Sequence, residues 1–294
     1  MVALAPLLVA LGAFVAWRWN RSAALFTPIG DRTEFAPGAC VAYGPSLGGR
    51  LPAVFIDPGH GGPDPGTSGL VHGNTLDEKT PTLAVAQAMA PLLGKAGYRV
   101  ILSRMQDTSV VALKPSYLAA GGYTIAGEHA DIQARVDCAN AAHAQLLLSI
   151  HFDAFGDPTV GGAETVYDAA RPFATENQRF ASLVQHAVVT GLGAAGWHIS
   201  DRGTISDTDV GTPALTEQGN AYGHLMELGP AEPGWFDHPT EMPGALTEPL
   251  FLTNPSEAQI AADPSGQQKL AEVLVRAIEE YFSPAGRSPA GHTS

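Results

Sequence analysis

Apolar residues fall along this chain in two rhythms. Runs that are apolar but for Arg99 and Ser149 occupy residues 53–56, 99–102 and 146–150, and a further strand-like run covers 162–167. Turn formers bound them, which is the pattern of short buried strands. Between the runs, apolar positions recur every three or four residues. Leu83, Ala86, Ala90 and Leu93 make one stripe, Ile132, Val136 and Ala139 another, Phe180, Val184 and Val188 a third, and Leu270, Leu274 and Tyr281 a fourth. Such stripes predict amphipathic helices, here expected over residues 131–143, around 180–192 and over 266–282, with the first ending at Gly97. Thr80 is placed to cap that first helix, with Pro81 at its first helical position. The alternation predicts an α/β fold: one domain over residues 53–283, with a mostly parallel twisted sheet flanked by helices on both faces.

The remaining segments break this rhythm. Residues 25–52 are rich in Gly, Pro and small side chains and read as a lead-in lying over the domain. Residues 114–130 and 230–251 read as insertions; prolines at 230, 233, 239, 243 and 249 make the second loop-like. Residues 284–294 read as a disordered tail. Residues 1–24 form a hydrophobic signal or membrane-anchor segment: residues 2–17 are almost wholly apolar, Arg18 and Arg21 follow, and Ser22-Ala23-Ala24 offers a small-x-small cleavage pattern. Export, with the segment cleaved or kept as an anchor, is the expectation; a buried helix of the domain is the alternative. The arginines follow the apolar run, so the positive-inside tendency votes weakly the other way.

Composition narrows the picture slightly. A net charge of −13 argues against a nucleic-acid partner. With 45 % hydrophobic residues, a sizeable core is within reach. The two cysteines, Cys40 and Cys138, are too few for a thiolate cage; they form one disulfide if the domain is exported, or stay as two buried thiols.

The candidate chemistry sits at strand ends. Asp57-Pro58-Gly59 stops the first run and delivers His60 on a loop with little side-chain bulk, at the edge where open α/β sheets bind ligands. His151 follows the run 146–150 in the same setting, and Glu227 follows residues 223–226, read as a short apolar strand. Two imidazoles and a carboxylate are the raw material of a catalytic zinc site, which uses three protein ligands and keeps one position open. Glu78, at the mouth of the first helix, is the chosen third ligand, with Asp77 competing by adjacency. Asp57 and Asp64 suit loop ordering or acceptance of a ligand's ring N–H. Glu227 suits a general base; the alternative is a buried acid paired with Arg104 or Arg135.

Taken together, Asp57-Pro58-Gly59-His60-Gly61-Gly62, Glu78-Lys79, Ser103-Arg104-Met105-Gln106-Asp107, Arg135 with Ala139-Asn140, Ser149-Ile150-His151-Phe152-Asp153, Glu227-Leu228-Gly229 and Asn254-Pro255 resemble, in order, the zinc-dependent N-acetylmuramoyl-L-alanine amidases of the type 3 family. The resemblance spans about residues 53–282. It implies one Zn²⁺ held by His60, Glu78 and His151, with Glu227 as catalytic acid/base. The implied reaction is cleavage of the amide between N-acetylmuramic acid and L-alanine in peptidoglycan, at an extracytoplasmic location. Two departures stand out. Pro230 replaces the family's usual aromatic, and the gap from Gly229 to Asn254-Pro255 is far longer than normal. Some relatives are autoinhibited by an inserted helix, so Glu128 or His129 is a candidate shield for the metal. Trp235, Phe236 and His238 offer a surface for sugar or peptide, or a patch that pins their loop. A non-catalytic cell-wall binding protein and a zinc peptidase acting on another amide are the rival readings.

Overall fold

Val54, Phe55 and Ile56 are fully buried, and the strand carrying them has neighbours on both sides. The computed structural model describes residues 26–30, 33–44, 52–210 and 217–283. Segments 1–24 and 284–294 lie outside the described residues, so the anchor and tail expectations are not addressed by it. Among the described residues no helix is long and apolar enough to cross a membrane.

Eight strands form the main sheet: β1 (Phe26–Pro28), β2 (Ala39–Tyr43), β3 (Ala53–Pro58), β6 (Arg99–Arg104), β9 (Leu146–Ile150), β10 (Ala163–Tyr167), β11 (Asp201–Ser206) and β12 (Gly244–Glu248). Small hairpins pair β4 (Ser68–Val71) with β5 (Asn74–Asp77), and β7 (Leu118–Ala119) with β8 (Gly122–Tyr123). The sheet order is β1-β2-β6-β3-β9-β12-β10-β11. Its centre, β6-β3-β9-β12, is parallel throughout, and β10 and β11 are parallel to each other. Antiparallel pairings join β1 to β2, β2 to β6, and β12 to β10, so the sheet is mixed.

Side-chain alternation assigns the two faces. Val54, Ile56, Leu146, Leu148 and Ile150 pack with residues of α1 (Lys79–Ala96), α3 (Ala174–Ala194) and α6 (Pro264–Phe282). Phe55, Ile101 and Leu147 face the other way, with residues of α2 (Ile125–Ala141). Short helices α4 (Glu217–Tyr222) and α5 (Pro255–Ala262) complete the chain.

Several boundaries differ from those expected. The lead-in contributes β1 and β2 to the sheet edge. Helix α1 starts at Lys79, with Glu78 at the capping position and no side-chain cap. Its carboxylate is turned toward two histidines instead. Helix α2 starts at 125, because Thr124 caps it by accepting from the Gly127 N–H at 3.1 Å. The 230–251 insertion contains β12, a central strand, clipped to five residues between Pro243 and Pro249. Residues 223–226 form no strand; Glu227 sits in a turn where the Leu228 and Gly229 N–H groups both return to the Leu225 carbonyl. Cys40 and Cys138 are disulfide-bonded, with Cα atoms 5.6 Å apart, tying β2 to α2.

Candidate active site

The loop after β3 is held by two buried arginines. Arg104 donates to the carbonyls of Pro58 (3.0 Å), Gly59 (2.9 Å) and Lys79 (2.9 Å). Arg135, from α2, donates to the Pro58 carbonyl at 3.1 Å and the His60 carbonyl at 2.7 Å, while pairing with Asp57 at 2.7 Å and Asp131 at 2.9 Å. The buried carbonyls of the turn are thereby satisfied by charge-assisted bonds. They hold His60 at φ 61°, a conformation that costs a non-glycine residue free energy and persists only where its surroundings fix it. Two glycines are required here. A Cβ on Gly59 would stand 2.3 Å from the His151 ring, and one on Gly66 (φ +68°) 2.5 Å from the Glu78 carboxylate.

His60, Glu78 and His151 converge. His60 Nε2 lies 3.0 Å from Glu78 Oε2, His151 Nδ1 lies 3.1 Å from Glu78 Oε1, and the two ring nitrogens are 3.1 Å apart. Glu78 is further fixed by the N–H groups of Phe152 and Thr67, each at 2.9 Å. Behind His60, Asp64 Oδ2 is 2.6 Å from Nδ1, the arrangement that orients a ligating imidazole. Burial opposes charge on His60, yet its hydrogen bonds to Asp64 and Glu78 raise it to about 9. Burial also opposes ionisation of Glu78, and the two histidines overcome it and hold the carboxyl low. A tetrahedral zinc with bonds of about 2.0–2.1 Å separates its ligand atoms by about 3.3 Å, so this donor set fits such an ion in spacing and chemistry. Asp77 stays in the β4/β5 hairpin, accepting from Ser68 Oγ at 2.8 Å, and is not part of the cluster.

Two further buried acids border the cluster. Glu227 lies with Asp57 and His151, one ligand atom of each within 4.8 Å of the others. Burial, then the Asp57 carboxylate, push its carboxyl well up, against Arg135. Asp57 itself is held low: burial opposes this, and Arg135 prevails. Of this adjacent pair, Asp57 carries the charge and Glu227 the proton. Glu248 was not singled out from the sequence. It ends β12, one position beyond the Thr247–Ile150 pairing, and so lies beside His151 on the neighbouring strand. Its Oε2 is buried without a hydrogen-bond partner, and burial, followed by Glu78, Asp153 and Glu164, raises its carboxyl strongly. The signal in the sequence was the oversized gap between Gly229 and Asn254-Pro255, in which Glu248 lies.

The insertions border this site. Glu128 is near enough to Asp64 and His60 to feel both: burial and Asp64 raise it, and His60 lowers it. His129 Nε2 lies 2.7 Å from the Trp235 carbonyl, with ring centroids 4.6 Å apart. Phe236 is fully buried with Val136 and Tyr222, and Trp235 packs on that cluster, so these two aromatics pin the loop; His238 is exposed.

Residues 54–280 match the family model described as N-acetylmuramoyl-L-alanine amidase. The chain is 30 % identical over 244 residues to the germination-specific N-acetylmuramoyl-L-alanine amidase of Bacillus subtilis, covering 83 % of this chain and 84 % of that one. It is 26 % identical to the amidase AmiC of Neisseria meningitidis over 80 % of this chain, spanning about half (54 %) of the relative. Among solved structures, an N-acetylmuramoyl-L-alanine amidase from Clostridium difficile 630 superposes with TM-score 0.55 at 26 % identity, over 79 % of this chain and 97 % of that one.

Proposed function

Because the chain belongs to the N-acetylmuramoyl-L-alanine amidase family, we infer that His60, Glu78 and His151 hold a zinc ion at which the amide between N-acetylmuramic acid and L-alanine of peptidoglycan is hydrolysed. The observation that carries this reading is the convergence, at about 3 Å, of two imidazole nitrogens that follow parallel strands and the two carboxylate oxygens of Glu78. Zinc in such a set supplies Lewis-acid polarisation of the scissile carbonyl and makes water a nucleophile near neutral pH.

The chain's own residues divide the other tasks. Asp64 keeps the His60 ring oriented, and Arg104 and Arg135 keep its loop in place. Glu248 takes the proton from the attacking water and returns it to the leaving amine. It has a buried Oε2 without a hydrogen-bond partner, a pKa raised by burial and the neighbouring acids, and a position beside His151. Glu227, the acid/base expected from the sequence, is better explained as a positioning residue: a buried acid beside Asp57 and His151 whose carboxyl is pushed up by burial and by Asp57. The Cys40–Cys138 disulfide supports action outside the cytoplasm, where such bonds persist, and anchoring through residues 2–17 remains part of this reading.

The test is digestion of purified peptidoglycan by zinc-loaded protein, with mass analysis of the products. Release of intact stem peptides from glycan strands is expected. Cleavage within the stems would support the peptidase reading, and no release the binding-protein reading. The complete donor set counts against the latter.

A further inference from the structure

A second group of metal-ligand atoms lies on the far side of the sheet's parallel centre and shares no residue with the His60 set. Asp168 follows β10, and Asp207 follows β11, strands paired in parallel up to Tyr167 and Ser206. His224 lies in the turn after α4 that leads to Glu227. His224 Nδ1 is 2.8 Å from Asp168 Oδ2 and 3.1 Å from Asp207 Oδ2, and one ligand atom from each residue lies within 4.8 Å of the others. We propose that Asp168, Asp207 and His224 form a second divalent-cation site of the zinc class, which ties the ends of β10 and β11 to the turn bearing Glu227.

Three observations support it. Asp168 is wholly buried, and while its Oδ1 accepts the N–H groups of Ala170 (2.7 Å) and Arg171 (2.8 Å), its Oδ2 is aimed into the cluster and receives no hydrogen bond. The His224 Nδ1 atom 2.8 Å away is not aligned to donate to it, and a buried carboxylate oxygen without an aligned donor is costly. Second, the cluster holds more negative charge than its surroundings cancel. A single ring nitrogen, His224 Nδ1, faces both carboxylates. Arg171 is the nearby cation, but its guanidinium is spent on the carbonyls of Gly229 (2.6 Å) and Thr240. Third, the spacing resembles that of the His60 set: the His224 ring nitrogen lies about 3 Å from one oxygen of each carboxylate, and the three ligand atoms lie within 4.8 Å of one another. Two carboxylates and an imidazole suit zinc or manganese, whereas calcium and magnesium favour all-oxygen shells.

The position assigns a structural role. The Leu225 N–H donates to Asp207 Oδ2 at 3.1 Å, and the Thr240 hydroxyl donates to the Glu227 carbonyl at 3.3 Å. A cation here fixes the start of the 223–229 turn, as Arg171 fixes its end.

The test counts metal in full-length protein stripped by chelator, reloaded with Zn²⁺ and freed of excess by gel filtration. Two zinc ions per chain are expected in the parent, one in Asp207→Asn, one in His224→Gln, one in His60→Ala and none in the His60→Ala/Asp207→Asn double variant. Zinc should also raise the Tm of His60→Ala and leave that of the double variant unchanged. One ion per chain in the parent, lost in His60→Ala and kept in Asp207→Asn, overturns this proposal and leaves the first centre standing. One ion kept in His60→Ala and lost in Asp207→Asn upholds it and removes the first centre. A Tm change in Asp207→Asn without any change in zinc count would identify an imidazolium bridging two carboxylates, and would also overturn it. His224→Gln keeps the test decisive if Asp207→Asn fails to fold.

Discussion

The two sides of the cleft handle buried charge in opposite ways. On the β3 side, Asp57, Asp131 and Arg135 interlock, Asp64 meets His60, and Lys79 pairs with Asp107 at 2.9 Å. On the β12 side, Glu248, Glu164 and Asp153 crowd together, and Arg202 reaches Glu164 only at 3.7 Å. Burial raises the carboxyls of Glu248, Glu164 and Asp153, whereas on the other side arginine outweighs burial and keeps Asp57 low. A compensated network is a frame: removing one member leaves a buried charge without its partner. An uncompensated carboxyl is a group whose proton is exchangeable, and that is where hydrolysis needs one. The site is thus a charge-compensated cradle around His60, Glu78 and His151, facing a rim of acids whose pKa values are raised.

The sharpest way to break this comparison is to remove a ligand. His151→Ala is expected to lose both stoichiometric metal at the first centre and peptidoglycan turnover, because the remaining His60 and Glu78 make an incomplete set; metal analysis and digestion check this together. Glu248→Gln comes next. It should lower turnover by ~10²–10⁴-fold, the range for removal of a general acid/base, while metal content stays at the parent level. Glu227→Gln separates the two acids, since it keeps the shape of a protonated carboxyl and should cost less turnover than Glu248→Gln. The reverse ranking would return the proton-carrying role to Glu227.

The β3 side was legible in the sequence and the β12 side was not, for physical reasons. His60 and His151 follow runs at the sheet centre, where both faces are covered and nearly every residue is apolar, so the pattern is strong. Glu78 was legible through its place at the start of a helix whose stripe is regular. Strand β12 reads Gly-Ala-Leu-Thr-Glu, has two residues of little β preference, and lies among five prolines that mark loops. Its assignment comes from tertiary pairing with β9 and β10, which a local pattern does not contain. The apparent strand before Glu227 failed for the converse reason: Gly223-His224-Leu225-Met226 forms a turn, in which half-buried Met226 packs against the Val136, Tyr222 and Phe236 cluster. Strands β1 and β2 were hidden by the glycine and proline content of their segment, and the disulfide was one of two readings until Cys40 and Cys138 met across β2 and α2.

Stability changes come next in size and probe the frame itself. Arg135→Met should destabilise the fold by about 3–5 kcal/mol, because Asp57 and Asp131 would remain buried without their counter-charge. Chemical denaturation checks it, and a loss under about 1 kcal/mol would show that the arginine is not the keystone of the compensated side. Breaking the Cys40–Cys138 bond by Cys40→Ser/Cys138→Ser should cost about 2–5 kcal/mol, since it closes a separation of 98 residues.

The smallest effect tests the boundary between the two sides, where Asp57 and Glu227 meet. The depressed pKa of Asp57 contributes stability that is present above its unfolded value of about 3.9 and lost as pH falls through its folded value. Glu227 acts with the opposite sign. Its raised pKa contributes stability that is full below the unfolded value of about 4.3 and lost as pH rises through the folded one. Glu227→Gln keeps a donor toward Asp57 and removes the ionisation. The variant should therefore match the parent near pH 4 and exceed it increasingly as pH rises, by about 2–4 °C in Tm for each kcal/mol relieved. Melting curves from pH 4 to 9, recorded with chelator so that metal release does not intrude, measure that difference. A difference that stays flat with pH would mean that Glu227 is ionised in the folded protein and belongs with the compensated charges, in which case the division between the two sides runs along β12 itself.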